Sequence, residues 1–312
     1  MNAPLADLQV RVTGRSTVGD VVVLDLTPVA GAPAWSPGDH VDVLLPDGVV
    51  RQYSLCGAAA DRWRLAVLRE TAGRGGSAWI ADSVREGDLL SLAGPRSTFA
   101  YLPDPATPAV FLAGGIGITP LAPMARAARD AGVDYTLHYA GHEGQMAFVD
   151  ELRAEHGDRL VTHVSEQARL DLPAFIASIA AGTAVYCCGP LRLIDAAQDL
   201  ALARGLDFHA ERFEAEPLTA PVWDGDFEVE LTMTGVTVTV PPDRSILEVA
   251  EENGVFVLSS CQEGTCGTCE TVVLDGEVDH RDSILTPAER ERGDRMFICV
   301  SRAACPRLVL DL

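Results

Sequence analysis

The period of hydrophobic and polar positions changes twice along the 312-residue chain, marking out three blocks. In the first, up to residue 102, apolar residues form short β-branched or alternating runs at 10–12, 21–26, 40–45 and 63–68. Gly19-Asp20, Pro37-Gly38 and Pro46-Asp47-Gly48 separate them with turn residues. Short strands at regular spacing predict an antiparallel β-barrel or a sandwich. Pro103-Asp104-Pro105-Ala106-Thr107-Pro108 forms a proline-rich junction, and after it strand-like runs at 109–113, 135–140, 160–164 and 184–188 alternate with helix-like stretches. Those stretches, 121–131, 147–155, 172–179 and 191–203, predict an α/β parallel sheet with helices on both faces.

A second break, Glu216-Pro217-Leu218-Thr219-Ala220-Pro221, opens the third block. There, runs at 227–232 and 236–240 flank Thr234-Gly235 and predict a hairpin, followed by a helix over 245–253 and a cysteine-rich loop. The chain therefore reads as multidomain, with predicted domains 1–103, 104–220 and 221–312, and without internal repeats.

Charge narrows the set of partners. With 24 basic and 45 acidic residues the formal charge is −21, which disfavours nucleic acid and anionic membranes. No apolar run approaches the roughly 20 residues of a membrane helix. The first residues lack a basic stretch followed by an apolar one, so a cytoplasmic protein is expected.

Eight cysteines stand at 56, 187, 188, 261, 266, 269, 299 and 305, and in that setting the cluster in the last sixth of the chain reads as metal or redox ligands rather than disulfides. Cys261-x4-Cys266-x2-Cys269, with Cys299 a further 29 residues on, is the plant-type [2Fe–2S] spacing. Zinc sites pair two CxxC-like knuckles, which this spacing lacks. Gly264 and Gly267 permit the tight loop such a cluster needs. Cys305 lies outside the pattern and is expected to be a buried structural thiol. The third block resembles plant-type ferredoxin, and the resemblance implies a β-grasp fold.

Two glycine-bearing turns stand at predicted strand ends. Gly114-Gly115-Ile116-Gly117-Ile118-Thr119-Pro120 passes from a strand into a helix, the arrangement in which backbone N–H groups and a helix N-terminus receive a pyrophosphate. Purely structural strand–helix turns use glycine in the same way. Cys188-Gly189-Pro190 is the second such turn. In the barrel block, Arg51-Gln52-Tyr53-Ser54 offers a donor fork for a phosphate, an aromatic face and a hydroxyl.

Taken in this order, the Arg-x-Tyr-Ser motif and the two turns resemble the ferredoxin–NADP reductase superfamily. With the ferredoxin block added, residues 7–312 resemble the phthalate dioxygenase reductase family, which includes vanillate demethylase reductases. The resemblance implies a flavin on the barrel, held by Arg51, Tyr53 and Ser54. It implies a nicotinamide dinucleotide at Gly115, Gly117, Thr119, Pro120, Cys188, Gly189 and Pro190, and the cluster as exit port. Ser54 and Cys188 would position the flavin and nicotinamide, and no general acid or base is expected. Phe213 would lie near the flavin ring. Gly73-Arg74-Gly75-Gly76-Ser77 corresponds to the family's loop for the terminal phosphate of FMN, so FMN is expected over FAD.

NADPH-using relatives carry a Ser-Arg pair where this chain has Ser165-Glu166, which predicts NADH, with His142 and Arg169 as the nearby positive candidates. The implied partner of this monomer is a terminal oxygenase, Rieske-type or a cytochrome P450. An iron–sulfur sensor would have no use for the flavin and dinucleotide motifs.

Overall fold

A computed structural model of the chain describes residues 8–31, 33–58, 62–70 and 75–312. It divides into two compact units that meet in sequence at Phe213 and Glu214. The first unit opens with β1 (Leu8–Val18), β2 (Val21–Pro28), β3 (Asp39–Leu44), β4 (Val50–Ser54) and β5 (Trp63–Leu68), followed by α1 (Gly76–Ser83) and β6 (Leu89–Ser97). These six strands form one antiparallel sheet in the order β4-β3-β6-β1-β2-β5. Just past β4 the Cys56 N–H donates to Arg64 O of β5 at 3.0 Å, so the two edges of the sheet meet. β1 alternates buried and exposed residues along its first half, and Val10, Val12, Leu24, Val41, Val43, Leu65 and Leu92 fill the interior.

The same unit continues through β7 (Ala109–Gly114), α2 (Ile118–Asp130), β8 (Tyr135–Gly141), α3 (Val149–His156), β9 (Leu160–Val164), α4 (Leu172–Ser178), β10 (Ala184–Cys188), α5 (Leu191–Ala203) and β11 (Asp207–Glu211). All five strands are parallel, in the order β11-β10-β7-β8-β9. β7 and β10 are buried throughout because helices cover both faces, and each face has its own apolar core. Strands β4, β6 and β11 go beyond the hydrophobic runs read from the sequence. Their partly exposed, mixed composition hides them from a hydrophobic pattern.

The second unit comprises β12 (Phe227–Leu231), β13 (Val236–Val240), α6 (Ile246–Glu252), β14 (Glu270–Asp275), β15 (Val278–Asp279), α7 (Pro287–Arg292), β16 (Arg295–Phe297), β17 (Arg302–Ala303) and β18 (Arg307–Leu310). Its main sheet runs β13-β12-β18-β14-β16, with β12 and β18 parallel. β12 and β13 form the predicted hairpin. A capping box of Ser245 and Glu248 starts α6, and one of Thr286 and Glu289 starts α7. The predicted barrel, parallel α/β sheet and ferredoxin-like sheet are thus all present. Among the described residues no helix is long and apolar enough to cross a membrane.

Candidate redox site

β4 is a sheet edge paired only with β3, placing Ser54 opposite His40 and Tyr53 opposite Val41. Ser54 is 5% exposed, and its Oγ has no hydrogen-bond partner among the described residues. A buried hydroxyl left alone costs about 1–3 kcal/mol, so this atom suits a ligand able to pair with it. Burial raises the Tyr53 phenol well above its ordinary range, keeping the ring neutral. Arg51 extends across α1: a Cβ on Gly76 would lie 2.7 Å from its Cγ and 2.9 Å from its Nε. Only glycine there lets the arginine lie against the first turn of the helix. That turn has no side-chain cap, Gly75 before it has φ +83°, and Ser77 Oγ accepts from the Glu70 N–H at 3.1 Å. An uncapped helix N-terminus beside an arginine fits a phosphate. Arg74 and Gly73 lie outside the described residues.

The two glycine turns sit at the C-terminal ends of neighbouring strands, with Ala113 of β7 paired with Cys188 of β10. They touch backbone to backbone. A Cβ on Gly117 would stand 2.2 Å from Cys188 O, and one on Gly189 2.9 Å from Gly114 Cα. Gly115 has φ +54° and faces open space. Thr119 is buried and gives its hydroxyl to Ile116 O at 3.0 Å, so it shapes the loop from within. Pro120 is buried in the first turn of α2, and Pro190 precedes α5. Cys188 is fully buried, and burial with the neighbouring Glu211 raises its thiol well above the ordinary range. A thiol so buried and uncharged is a poor nucleophile.

Glu211 escaped the sequence reading. It pairs in register with Cys188 at the end of β11. Its Oε2 is shielded from solvent with no partner among the described residues, and burial pushes the carboxyl up to about 8. A carboxyl raised in this way stands beside the dinucleotide turn, next to Cys188. Along the chain the signal was only an acidic residue two positions before Phe213, which is 42% exposed and so not a core aromatic.

The sign of the linkage follows from the two pKa values. Between about 4.5 and 8 the native state retains a proton that the unfolded chain has lost. Stability from this group is full below that window and is lost as pH rises through it. A Glu211→Gln variant should therefore gain in Tm relative to wild type as pH rises from 5 to 8. An equal difference at both pH values in thermal unfolding would contradict this assignment.

At the far end of the sheet, Ser165 N donates to Gly141 O at 2.9 Å. Glu166 joins His142 Nδ1 at 2.7 Å and accepts from the Glu143 N–H at 3.0 Å. These bonds hold its carboxyl below the ordinary range, the His142 bond contributing most. His142, read as a possible counter-charge for a phosphate, is engaged with this carboxylate.

In the second unit, Cys261, Cys266, Cys269 and Cys299 are all buried. Cys266 Sγ accepts from the Cys261 N–H at 3.5 Å and meets Thr268 Oγ1 at 3.2 Å, while Cys261 Sγ accepts from the Glu263 N–H at 3.3 Å. Hydrogen bonds from Cys266 and Cys299 lower the thiols of Cys261 and Cys269 respectively. A [2Fe–2S] cluster takes four thiolates, two to each iron, and these four buried cysteines would supply that number. Gly264 (φ +72°) packs against Asp282 and Val300 and accepts the Ser283 N–H at 2.9 Å, bracing the loop from behind. Cys305 is half-buried rather than buried; at the turn before β18 its Sγ donates to Arg307 O at 3.0 Å.

A family model described as a 2Fe-2S iron-sulfur cluster binding domain matches residues 229–304. A relative named phenoxybenzoate dioxygenase subunit beta, from Ectopseudomonas oleovorans, is 42% identical over 94% of this chain and 93% of its own. The crystal structure of phthalate dioxygenase reductase, described as a modular structure for electron transfer from pyridine nucleotides to [2Fe-2S], is 34% identical. It covers 98% of both chains with TM-score 0.68. An intact type IV self-sufficient cytochrome P450 monooxygenase is 40% identical with TM-score 0.90 over 98% of this chain, which spans only 41% of that longer one. Fold and relatives together define an electron-transferring oxidoreductase with an iron–sulfur domain over residues 229–304. The chain belongs to the phthalate dioxygenase reductase family.

Proposed function

We propose that the protein takes hydride from NADH onto FMN and passes single electrons through its [2Fe–2S] cluster to a terminal oxygenase. The observation that carries this reading is the partnerless, buried Ser54 hydroxyl beside the Arg51–α1 phosphate site, in the same compact unit as the two-turn glycine cradle. Flavin converts electron pairs into single electrons: NADH becomes NAD⁺, two one-electron acceptors are reduced, and one proton is released. Arg51, Gly75, Gly76 and Ser77 would hold the flavin phosphate, whose terminal double charge suits an arginine at a helix N-terminus and favours FMN. Tyr53 and Phe213 would cover the ring, Ser54 would hydrogen-bond its edge, and Cys188 would give the nicotinamide an uncharged wall. Gly115, Gly117, Gly189 and Pro190 would admit the dinucleotide backbone, with Thr119 and Pro120 shaping the loop. Ser165 and Glu166 would meet the adenosine ribose, where the carboxylate repels a 2′-phosphate.

The domains assigned to these tasks are 1–103, 104–220 and 221–312, in a cytoplasmic monomer. A Rieske-type oxygenase is the proposed acceptor. The similarity to a self-sufficient P450 chain supports a second reading in which a haem monooxygenase takes the electrons.

Anaerobic NADH should bleach both flavin and cluster absorbance, heat-released flavin should co-migrate with FMN, and NADPH should give a much lower kcat/KM. Release of FAD or equal use of NADPH would overturn those parts of the reading. Faster NADH oxidation on adding a Rieske oxygenase or a P450 would decide the acceptor.

A further inference from the structure

Arg126 is 5% exposed, midway along α2, yet carries a permanent charge. Its guanidinium makes four hydrogen bonds, and each of its three nitrogens takes part. Nε meets Glu155 Oε2 at 2.7 Å and Nη2 meets Glu151 Oε1 at 2.8 Å, both acids lying on α3. Nη1 reaches the backbone carbonyls of Cys56 and Gly57 at 3.4 and 3.3 Å. Those carbonyls belong to the segment that leaves β4 directly after Ser54. The network continues through Glu151 to Arg64 of β5 at 3.0 Å, and from Arg64 to Asp25 of β2 at 2.7 Å. Arg64 also accepts the Cys56 N–H through its own carbonyl at 3.0 Å. One arginine therefore ties the end of the proposed flavin strand to the helix whose first turn forms the proposed dinucleotide loop.

Buried ion pairs are weak stabilisers, and apolar replacements of similar volume often fold as well or better. Placement is what such a fork supplies and a greasy contact does not, since it fixes both distance and angle to two carbonyls. We propose that Arg126 is a positioning residue for hydride transfer: it sets the register of the Ser54 strand against the dinucleotide loop without touching either ligand. This rests on the functional reading above.

The test compares Arg126→Lys with Asp25→Asn, which removes only the negative charge at the Arg64 end of the network. In the flavin-loaded full-length protein, stopped-flow reduction by saturating NADH should slow roughly tenfold to a hundredfold for Arg126→Lys, the scale of a small misplacement of reacting groups. Flavin content and the NADH concentration for half-maximal rate should stay within about threefold, and Asp25→Asn should match wild type. Independently of activity, amide exchange at residues 55–57 should accelerate about tenfold in Arg126→Lys, in flavin-free protein as well, while exchange in β1 and β2 stays unchanged.

A limiting rate within about twofold of wild type, or a loss that tracks flavin content or NADH affinity, overturns the proposal. Should Arg126→Lys fail to fold, the charge-free combination Arg126→Met, Glu151→Gln, Glu155→Gln gives the same readouts. A wild-type protein that NADH does not reduce overturns the functional reading itself, and the proposal with it. Wild type reduced at full speed alongside an equally fast Arg126→Lys overturns the proposal alone.

Discussion

A Cys266→Ser protein is expected to accept electrons from NADH at an undiminished rate and yet reduce cytochrome c at least about a hundredfold more slowly. Cys266 supplies one of four buried sulfurs and receives the Cys261 N–H. A serine hydroxyl is a far weaker acid than a thiol and a harder donor, so it replaces a thiolate poorly on iron. The cluster lies in the unit that starts at Glu214, whereas every proposed flavin and dinucleotide residue lies before it. Loss of the cluster should therefore leave the first half-reaction intact. The measurement pairs anaerobic flavin bleaching with cytochrome c reduction and iron content. Full cytochrome c activity in a protein without iron would show that electrons leave from the flavin directly, removing the cluster from the path.

A Gly117→Ala substitution should raise the KM for NADH by tenfold or more and destabilise the first unit by about 1–3 kcal/mol, the usual cost of overpacking. The added methyl would stand 2.2 Å from Cys188 O and 2.6 Å from Gly189 N, all of it backbone that no rotamer change moves aside. The two turns would have to separate, opening the cradle proposed for the dinucleotide. Gly115→Ala is the informative comparison. Gly115 faces open space at φ +54°, so an alanine there meets only the conformational penalty of about 1–2 kcal/mol and no collision. Denaturation midpoints together with NADH titrations separate the two effects. If both variants bind NADH as wild type does, the contact between the turns has no part in nucleotide binding.

Much of this architecture was legible along the chain because it depends on near neighbours. Turn residues, strand alternation and helical spacing act over a few positions, and they marked the barrel, the parallel sheet and the β12–β13 hairpin in the right order, whereas β14 to β18 were not read from the pattern. The motif from Cys261 to Cys269 is equally local, and its glycines do adopt the positive φ values that the loop requires. Cys299 was readable as a ligand only through its spacing; the β14–β16 pairing, with Glu270 opposite Phe297, is what brings it back to the loop.

Glu211 and Arg126 show where reading along the chain ends. Both look like ordinary surface charges, and what distinguishes them is burial, a property of all the chain that packs around them. At Glu211 the cost of desolvating the carboxylate pushes the carboxyl up to about 8. Arg126 is met by two carboxylates and two carbonyls drawn from residues 56 to 155, which satisfy a guanidinium in the interior. His142 changed meaning in the same way, from a free positive candidate to the partner of Glu166.

The sequence by itself determined the order of elements, the cluster spacing and the turn chemistry at each strand end, since short-range sterics and hydrogen bonding set these. Only the tertiary structure decided which turns touch, which hydroxyl is left without a partner and which charges are shielded. Those outcomes depend on close packing and desolvation between segments far apart in the chain.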